Sequence, residues 1–260
     1  AKLVLIIYVS RMLTNKKDDI KDFKKGLIPI LWPVALICGL ILPADFSTAA
    51  MLFTVCFTMM FIAGAKIKHL GSIIGTAFLG FAFLILVNIA VPGFLPRVDT
   101  WEKRMMSFGS GEKQENYQAE MAKRAVANGF LFGKGPGKGH VKNDLYSAQS
   151  DFIYASSIEE FGSIIGGIGL VILYMILFFR AIRIMNKVDS KFASFIVFGL
   201  SFMLIFQSFI NMGVGVNLLP VTGQPLPLIS MGGTSILFTC ISLGIILNVS
   251  TTVYKDSENV

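Results

Sequence analysis

Charged residues are scarce in this chain of 260 residues. Asp, Glu, Lys and Arg make up 15% of the sequence, whereas hydrophobic residues make up 54%. Soluble domains carry about 25% charged residues, so this chain has too little polar surface to cover a globule in water. Charge-free runs cover residues 26–44, 46–65, 70–96, 161–179 and 192–254.

These runs have the length of membrane-crossing helices. A helix that crosses a bilayer needs about 20 apolar residues. The runs are continuously apolar and do not alternate with period two, which excludes an outer-membrane barrel. The composition therefore predicts an all-α polytopic membrane protein.

Cysteine and histidine are also rare, with three and two residues. Cys38, Cys56 and Cys240 all lie inside apolar runs, with neither the spacing of a metal site nor that of a disulfide framework. The net charge of +7 comes from basic residues in short loops between apolar runs, so we expect no nucleic-acid partner.

Seven helical segments fit the hydropathy pattern, in a single membrane domain over residues 1–260. The long apolar run is divided at residues 217–227, where three prolines and a glycine cannot continue a helix. The first segment is too short to span alone and opens at Ala1 without a flanking loop, so we expect a fragment of a longer protein. The predicted segments are about 1–13, 27–42, 46–64, 70–91, 161–183, 192–216 and 228–254.

The basic residues predict the orientation of these segments. One side carries 13 Lys and Arg residues in its loops and at the C-terminal end, whereas the opposite short turns, near Pro43 and at 217–227, carry none. Because Lys and Arg in short loops favour the cytoplasm, the C-terminus is expected to be cytoplasmic. A large loop at about 92–160 is then extracytoplasmic.

The loop contains two notable pieces. Residues 116–128 predict a short helix ended by Gly129, with Lys123 and Arg124 opposite its apolar side. This pattern suits a helix on the membrane surface or an ordinary solvated helix. Residues 133–139 alternate glycine with lysine and suit either an anion-binding nest or a flexible turn; the spacing excludes a Walker loop.

Carboxylates cluster just before the fifth segment, at Asp151, Glu159 and Glu160. If this stretch is helical, Asp151 and Glu159 share a face about 12 Å apart, which is too wide for the paired carboxylates of a glycosidase. One of them could act as a general base. Alternatively, such acids only favour a helix N-terminus.

Two further features lie at membrane-facing positions. Gly232 and Gly233 would allow either a ligand or another helix to approach closely. Lys2 opens an apolar segment and could be a buried functional cation or a side chain that reaches to the interface.

Several motifs occur in a distinctive order. They are PADFSTA at 43–49, YQ at 117–118, FGKG at 132–135, SDFIY at 150–154, EEFG at 159–162, NMG at 211–213 and LPVTGQPLPLISMGGTS at 219–235. Together they resemble the SEDS family (shape, elongation, division and sporulation), and its division branch most closely. Residues 145–150 depart from the Leu-Pro-Glu-x-His-Thr/Ser pattern common in the family.

The resemblance implies a ten-helix fold, of which this chain would hold about seven helices. It also implies a peptidoglycan glycosyltransferase of the bacterial cytoplasmic membrane that polymerises lipid II, with Asp151 as the catalytic base. The implied partners are lipid II, a class B penicillin-binding transpeptidase, other division proteins of the membrane, and membrane lipid. Candidate substrate-binding residues are Lys2, Gln118, Arg124, Lys134, Gln149, Ser150, Glu160, Ser230, Gly232 and Gly233.

The chemistry implied by the family also needs positive charge to receive the lipid diphosphate that leaves. Lys134, Lys138, Arg124 or a divalent cation are the candidates, and no other cofactor is expected. A lipid II flippase and a scaffold of the division complex are the alternatives. A flippase needs polar residues through the middle of the membrane. The later spans have almost none, with Gln207 and Asn211 as the best candidates, and this disfavours a flippase.

Overall fold

A computed structural model describes residues 1–90, 115–139 and 149–258, and all regular secondary structure in these ranges is helical. Two short π-helical segments, Phe23–Leu27 and Ser163–Gly169, precede the second and seventh α-helices. The α-helices are α1 (Lys2–Asn15), α2 (Ile28–Ile41), α3 (Phe46–Ile62), α4 (Ile67–Ala90), α5 (Glu115–Gly129), α6 (Ile153–Gly162), α7 (Leu170–Lys187), α8 (Lys191–Gly215) and α9 (Gly233–Glu258).

Five helical stretches in the described part of the chain are long and apolar enough to cross a membrane. They are Phe23–Ile41, Ile67–Val87, Ile153–Lys187, Lys191–Gly215 and Gly233–Val253. Helix α3 is apolar but shorter, with 17 residues, and α1 has only 14. The all-helical membrane architecture expected from the composition is therefore confirmed.

Helix α8 is the centre of the bundle and packs against α1, α3, α7 and α9. Its Gly199 lies where helices approach closely, because a Cβ there would be 2.7 Å from Ile6 Cγ2 and 2.8 Å from Met59 Sδ. Leu200 of α8, together with Ile6 and Met59, is completely buried. This core holds α3 and α8 together, and the polar site is built from the N-terminal end of α3 and the C-terminal end of α8.

Helix ends are fixed by side chains near these core helices. Asp45 caps α3, because its carboxylate accepts a hydrogen bond from Thr48 N at 3.0 Å. On the loop before α2, exposed Asp22 accepts hydrogen bonds from Lys24 N and Lys25 N. These two bonds favour the charged carboxylate and hold the pKa of Asp22 below its ordinary value.

The fifth segment begins earlier than the expected position near 161. Helix α6 starts at Ile153, and the chain then turns at Gly162, whose φ of +81° interrupts the helix. A side chain would strain this conformation. Ser163–Gly169 then packs against α6, and a Cβ at Gly166 would overlap the carbonyl oxygen of Ser157. The apolar stretch is therefore bent and not one straight helix.

The last helix begins later than expected, at Gly233 instead of about 228. Residues 226–230 form a turn in which Ser230 N donates to Leu226 O at 2.9 Å. Non-helical φ angles of +67° at Gly223 and +71° at Leu228 keep this segment irregular. It connects α8 to α9, and we call residues 217–232 the α8–α9 loop.

The predicted loop helix is present as α5, but its apolar side does not face the lipid. Ala122 and Ala125 are buried against Phe152, Ala155 and Val214. Small side chains allow this close packing of helices. The rest of the expected loop at 92–114 and 140–148 lies outside the described residues.

Candidate functional site

Asp151 lies in a turn immediately before α6 and not within a helix. Its Oδ1 accepts a hydrogen bond from Ser150 Oγ at 3.0 Å. Its Oδ2 faces the α8–α9 loop, since a Cβ built on Gly223 would be 3.9 Å from it. Because the residue is half-buried, the carboxylate is held by the fold and still reachable from outside.

A buried amide on α8 fixes the backbone of this turn. Asn211 Nδ2 donates to the carbonyl of Asp151 at 2.9 Å and to that of Gln224 at 2.8 Å. Asn211 is only 1% exposed. In the described part of the chain, its Oδ1 has no hydrogen-bond partner. One side chain thus joins the aspartate turn to the α8–α9 loop.

Ser230 adds a second connection between the same two segments. Its hydroxyl donates to the carbonyl of Ser150 at 2.6 Å and accepts from Leu226 N at 2.7 Å. Met231 N donates to the carbonyl of Gln149 at 2.8 Å. The carbonyls of Gln149 and Ser150 are therefore hydrogen-bonded to this loop, and that of Asp151 to Asn211 on α8.

On its other side, the loop connects two charged residues through Gln224. Gln224 Oε1 accepts from Lys2 Nζ at 3.1 Å, whereas its Nε2 donates to Thr48 Oγ1 at 2.8 Å and to Asp45 Oδ2 at 3.3 Å. Thr48 Oγ1 also donates to Asp45 Oδ2. Charges near the membrane interior are costly unless they have partners, and Gln224 gives a partner to each.

Lys2, Asp45 and Thr48 also line a cavity of about 460 Å³. Gln207 lies in its wall and donates from Nε2 to the carbonyl of Pro225 at 2.8 Å. Helix α9 contributes a row of hydroxyl groups from Thr234, Ser235, Thr239 and Ser242, and the remaining wall is largely apolar. Asp151 is not among the lining residues, since Gly223–Pro225 lies between.

A second polar cluster lies where the glycine-rich segment 129–139 meets α6. Lys134 Nζ is 3.6 Å from Glu159 Oε1, and Asn128 Nδ2 donates to the same oxygen at 3.4 Å. Glu159 is completely buried. Lys134 N donates to the carbonyl of Glu159 at 2.9 Å, and Gly135 N to that of Glu160 at 3.0 Å. Segment 129–139 is therefore an ordered strap over the end of α6.

The predicted site residues fall into these two clusters and a third place. Gln149, Ser150, Asp151 and Ser230 lie together, and Lys2 joins them through Gln224. Lys134 lies on the strap, and Glu160 lies on α6, where its carbonyl accepts a hydrogen bond from Gly135 N of the strap. Arg124 lies on α5, where it pairs with Glu120 at 2.7 Å, and Gln118 is half-exposed on the same helix.

The two glycines at the start of α9 border open space. Within the ranges that the structure describes, a Cβ on Gly233 would meet nothing within 4 Å, and one on Gly232 would meet only Ser235 Cβ, at 3.5 Å. No described helix therefore packs closely against this pair. Among the described residues, no group of three or more His, Cys, Asp or Glu side chains could hold a metal ion.

Sequence reasoning did not include Asp45, Asn211 or Gln224 in the site. A signal existed for Asp45, which is the only charged residue between 26 and 65 and lies where two apolar runs meet. Asn211 and Gln224 lie within the motifs at 211–213 and 219–235, but their roles depend on partners far along the chain.

Comparisons with known proteins agree with the fold and the motifs. A family model described as a cell cycle protein, covering FtsW, RodA and SpoVE, matches residues 1–255. Stage V sporulation protein E of Bacillus subtilis is 34% identical over 255 residues, which cover 96% of this chain and 66% of that protein. A probable peptidoglycan glycosyltransferase FtsW of Geobacter metallireducens is 33% identical, with 96% and 65% covered.

Solved structures are similar as well. A chain from a peptidoglycan synthase complex matches with a TM-score of 0.71 and 26% identity, covering 98% of this chain and 69% of that one. A rod shape determining protein RodA of Thermus thermophilus shares the fold at 23% identity, with a TM-score of 0.56 and coverage of 96% and 66%. The chain spans about 65% of the length of the curated relatives it matches. It belongs to the FtsW, RodA and SpoVE family of cell cycle proteins, which is the SEDS family.

Proposed function

We propose that this chain is the larger part of a peptidoglycan glycosyltransferase that polymerises lipid II at the outer face of the cytoplasmic membrane during division. Support comes from relatives named as probable peptidoglycan glycosyltransferases, which are 30–33% identical. The observation that carries the proposal is the half-buried Asp151 carboxylate, held in a turn by hydrogen bonds to three carbonyls.

In the proposed reaction, Asp151 acts as the general base. It accepts the proton of the 4-hydroxyl of one lipid-linked disaccharide while that oxygen attacks the anomeric carbon of the other glycan. The bond from that carbon to the lipid diphosphate breaks, and the configuration inverts. A sugar hydroxyl is a weak nucleophile, so a positioned carboxylate accelerates its attack.

The hydrogen bonds around Asp151 suit this role because they fix the backbone on which it stands. Asn211 and Ser230 hold the carbonyls on either side of the Ser150–Asp151 peptide bond. Ser150 Oγ donates a hydrogen bond to the carboxylate itself. Such an arrangement leaves room for a substrate hydroxyl while keeping the base in place.

The diphosphate needs a cation as it leaves. Lys134 and Arg124 each contact a carboxylate, whereas Lys2 Nζ contacts the neutral amide of Gln224 and lines the cavity. We propose that Lys2, Lys134, Lys138 or Arg124 supplies this cation. The alternative to a cationic side chain is a divalent cation that the diphosphate itself binds.

The proposed partners follow from the same comparisons. The 26% identical structural relative is described as a synthase complex that coordinates polymerization and crosslinking. We propose that this chain likewise works with a crosslinking transpeptidase of the class B penicillin-binding type.

The basic loops between α1 and α2 and between α7 and α8 would face the cytoplasm, as would the C-terminus.

The cavity gives one observation in favour of a second function, the transport of lipid II. Lys2, Asp45 and Gln207 place polar groups beside spanning helices, as a transporter requires. A flippase would use this cavity and would leave Asp151 dispensable.

The full-length protein with its transpeptidase partner, given labelled lipid II, tests the proposal. Glycan ladders on a gel are expected from the wild type and from the control Asp189→Asn, which changes an exposed acid in the loop before α8. Asp151→Ala and Asp151→Asn should give none while melting like the wild type. Ladders from a folded Asp151→Ala would contradict the assignment of the base.

Transport is measured separately in vesicles that contain fluorescent lipid II in both leaflets. Protection of the inner-leaflet fluorophore from a membrane-impermeant quencher reports on movement between leaflets. Polymerisation without movement supports the enzyme, whereas movement that persists in Asp151→Ala without any polymer would support the flippase.

A further inference from the structure

The strap carries three consecutive apolar side chains that the protein itself does not cover. Phe130 is 74% exposed, Leu131 45% and Phe132 79%. Such a triplet in an extracytoplasmic segment would be unfavourable in water, and exposed apolar groups of this size mark an interaction surface. We call residues 130–132 the apolar tip.

The exposure of the tip is built into the backbone. Ser163 N donates to the carbonyl of Phe130 at 2.8 Å, and Gly133 N to that of Gly129 at 2.7 Å. Phe130 has a φ of +43°, which is uncommon for a residue with a side chain. A Cβ on Gly162 would overlap the carbonyl oxygen of Leu131. The tip therefore fits tightly onto the turn at Gly162 and presents its side chains outward.

The depth of the tip relative to the membrane follows from the span beside it. Residues 161–179 carry no charge and end at Arg180. About 20 helical residues cross the hydrocarbon core, so Gly162 lies at the outer boundary when Arg180 lies at the inner one. Ile164 N donates to the carbonyl of Leu131 at 3.4 Å, which places the tip at the same level as this boundary.

The surface of the tip continues into the lipid-facing side of the span. Phe161, Ile164 and Ile165 are exposed and flank the turn at Gly162 that the tip contacts. Lys138 is exposed at the other end of the strap. Aromatic residues with lysines beside them are typical of the membrane interface, where the rings enter the acyl boundary and the ammonium groups meet lipid phosphates.

We propose that the apolar tip, Phe130–Leu131–Phe132, inserts into the outer interfacial layer of the lipid bilayer and anchors the strap there. The lipid bilayer is the occupant because the tip is continuous with a lipid-facing helix surface and lies at its boundary. The anchor fixes the depth of α6 relative to the membrane. The strap packs on one end of α6, and Asp151 lies just before the other end. The inference does not depend on the reaction that Asp151 performs.

A nitroxide label tests the depth of the tip directly. The full-length protein, with every cysteine replaced by Ala, Cys38, Cys56 and Cys240 among them, receives Phe132→Cys and is reconstituted in nanodiscs of phosphatidylethanolamine and phosphatidylglycerol. Power saturation compares the accessibility of the label to oxygen, which concentrates in lipid, with its accessibility to a water-soluble nickel chelate. The matched control is Lys123→Cys, an exposed position on α5.

The expected result is a ratio of oxygen to nickel accessibility that is severalfold higher at position 132 than at 123. A label at 132 that nickel reaches as readily as at 123 would show the tip in water and overturn the proposal. Low accessibility to both reagents would show a protein surface over the tip. If that appears only after the transpeptidase partner is added, the occupant is that partner and not lipid.

A second measurement guards against a disturbed fold in the cysteine-replaced protein. Phe132→Trp in a protein with Trp32→Phe and Trp101→Phe should show blue-shifted emission that lipids brominated near the headgroup quench strongly. Emission at the wavelength of tryptophan in water, without quenching, would contradict insertion independently of the label.

Discussion

The side-chain amide of Asn211 donates a hydrogen bond to the backbone carbonyl of Asp151 at 2.9 Å, across 60 positions of sequence. The bond holds the main chain of Asp151 and does not involve its carboxylate. A second bond from the same nitrogen group reaches the carbonyl of Gln224. In the proposed reaction, Asn211 is thus a positioning residue that acts through Asp151.

The first prediction concerns Asn211→Asp, which keeps the shape of the side chain and removes both donors. Two buried carbonyls lose their partner, at a cost of about 1–3 kcal/mol each. We expect polymerisation to fall by at least about tenfold through kcat, with KM for lipid II changed little. Steady-state kinetics of the full-length complex measure this.

The matched control on the same helix is Ser201→Ala. Ser201 is buried, and its hydroxyl donates only to carbonyls of its own helix, Val197 at 2.7 Å and Phe198 at 3.1 Å. It should leave kcat near the wild-type value. Equal losses in both variants would mean that general weakening of α8, and not the position of Asp151, lowers the activity.

Much of this architecture could be predicted from the distribution of charge. Charged residues separate the apolar segments, and helices occupy these segments because the membrane leaves the backbone no other partner for its hydrogen bonds. The turn at Gly162 could not be predicted in this way. Four glycines occur within residues 162–169, and only the packing of the strap shows which one takes a positive φ.

The polar site was predictable only where a motif carried it. The resemblance named Asp151, but the residues that hold it are recognised by contacts between distant segments. Lys2 and Gln224 lie 222 positions apart. The sequence also does not reveal what the apolar side of α5 contacts. Ala122 and Ala125 are apolar enough for lipid and small enough for a helix contact, and the structure places them against α6.

The second prediction concerns the two charges joined by Gln224. Lys2→Met and Asp45→Asn should each lower the melting temperature and the activity, because each removes one charge and leaves the other without its opposite partner. In the double variant neither charge remains. We expect it to be more stable than additivity predicts, by about 0.5–3 kcal/mol.

Thermal unfolding of the four proteins in detergent gives this coupling free energy. Gln224→Leu provides an independent check, since it removes the amide that contacts Lys2, Thr48 and Asp45. It should lower stability in the wild-type background and much less in the double variant. Strict additivity of Lys2→Met and Asp45→Asn would show that the two charges do not interact.

The third prediction compares two lysines of the strap. Lys134 contacts the buried carboxylate of Glu159 at 3.6 Å, whereas Lys138 is exposed. Lys134→Met should therefore loosen the strap, because a buried carboxylate loses a cationic partner, and Lys138→Met should not. Hydrogen exchange of the Lys134 and Gly135 amides, which donate to Glu159 and Glu160, reports on the strap.

Faster exchange of the Gly135 amide in Lys134→Met, with unchanged exchange in α8, is the expected pattern. Lys138→Met should exchange like the wild type at every amide of the strap. If both variants exchange alike, the ion pair does not hold the strap, and the backbone hydrogen bonds alone account for its order.

The last prediction concerns the turn at Gly162 and separates conformation from composition. Gly162→Ala introduces a side chain at a φ of +81° and forces its Cβ onto the carbonyl oxygen of Leu131. Because both effects are unfavourable, the strap must move away from the turn.

Gly169→Ala is the matched control in the same π-helical segment, since its Cβ would approach only the carbonyl oxygen of Ile164, at 3.4 Å. We expect Gly162→Ala to lose most of the folded protein in membranes, as judged by monodisperse recovery in detergent, and Gly169→Ala to be recovered like the wild type. Normal recovery of Gly162→Ala would require the residue to leave the left-handed conformation without disturbing the strap, and the bent geometry at the start of this span would then be wrong.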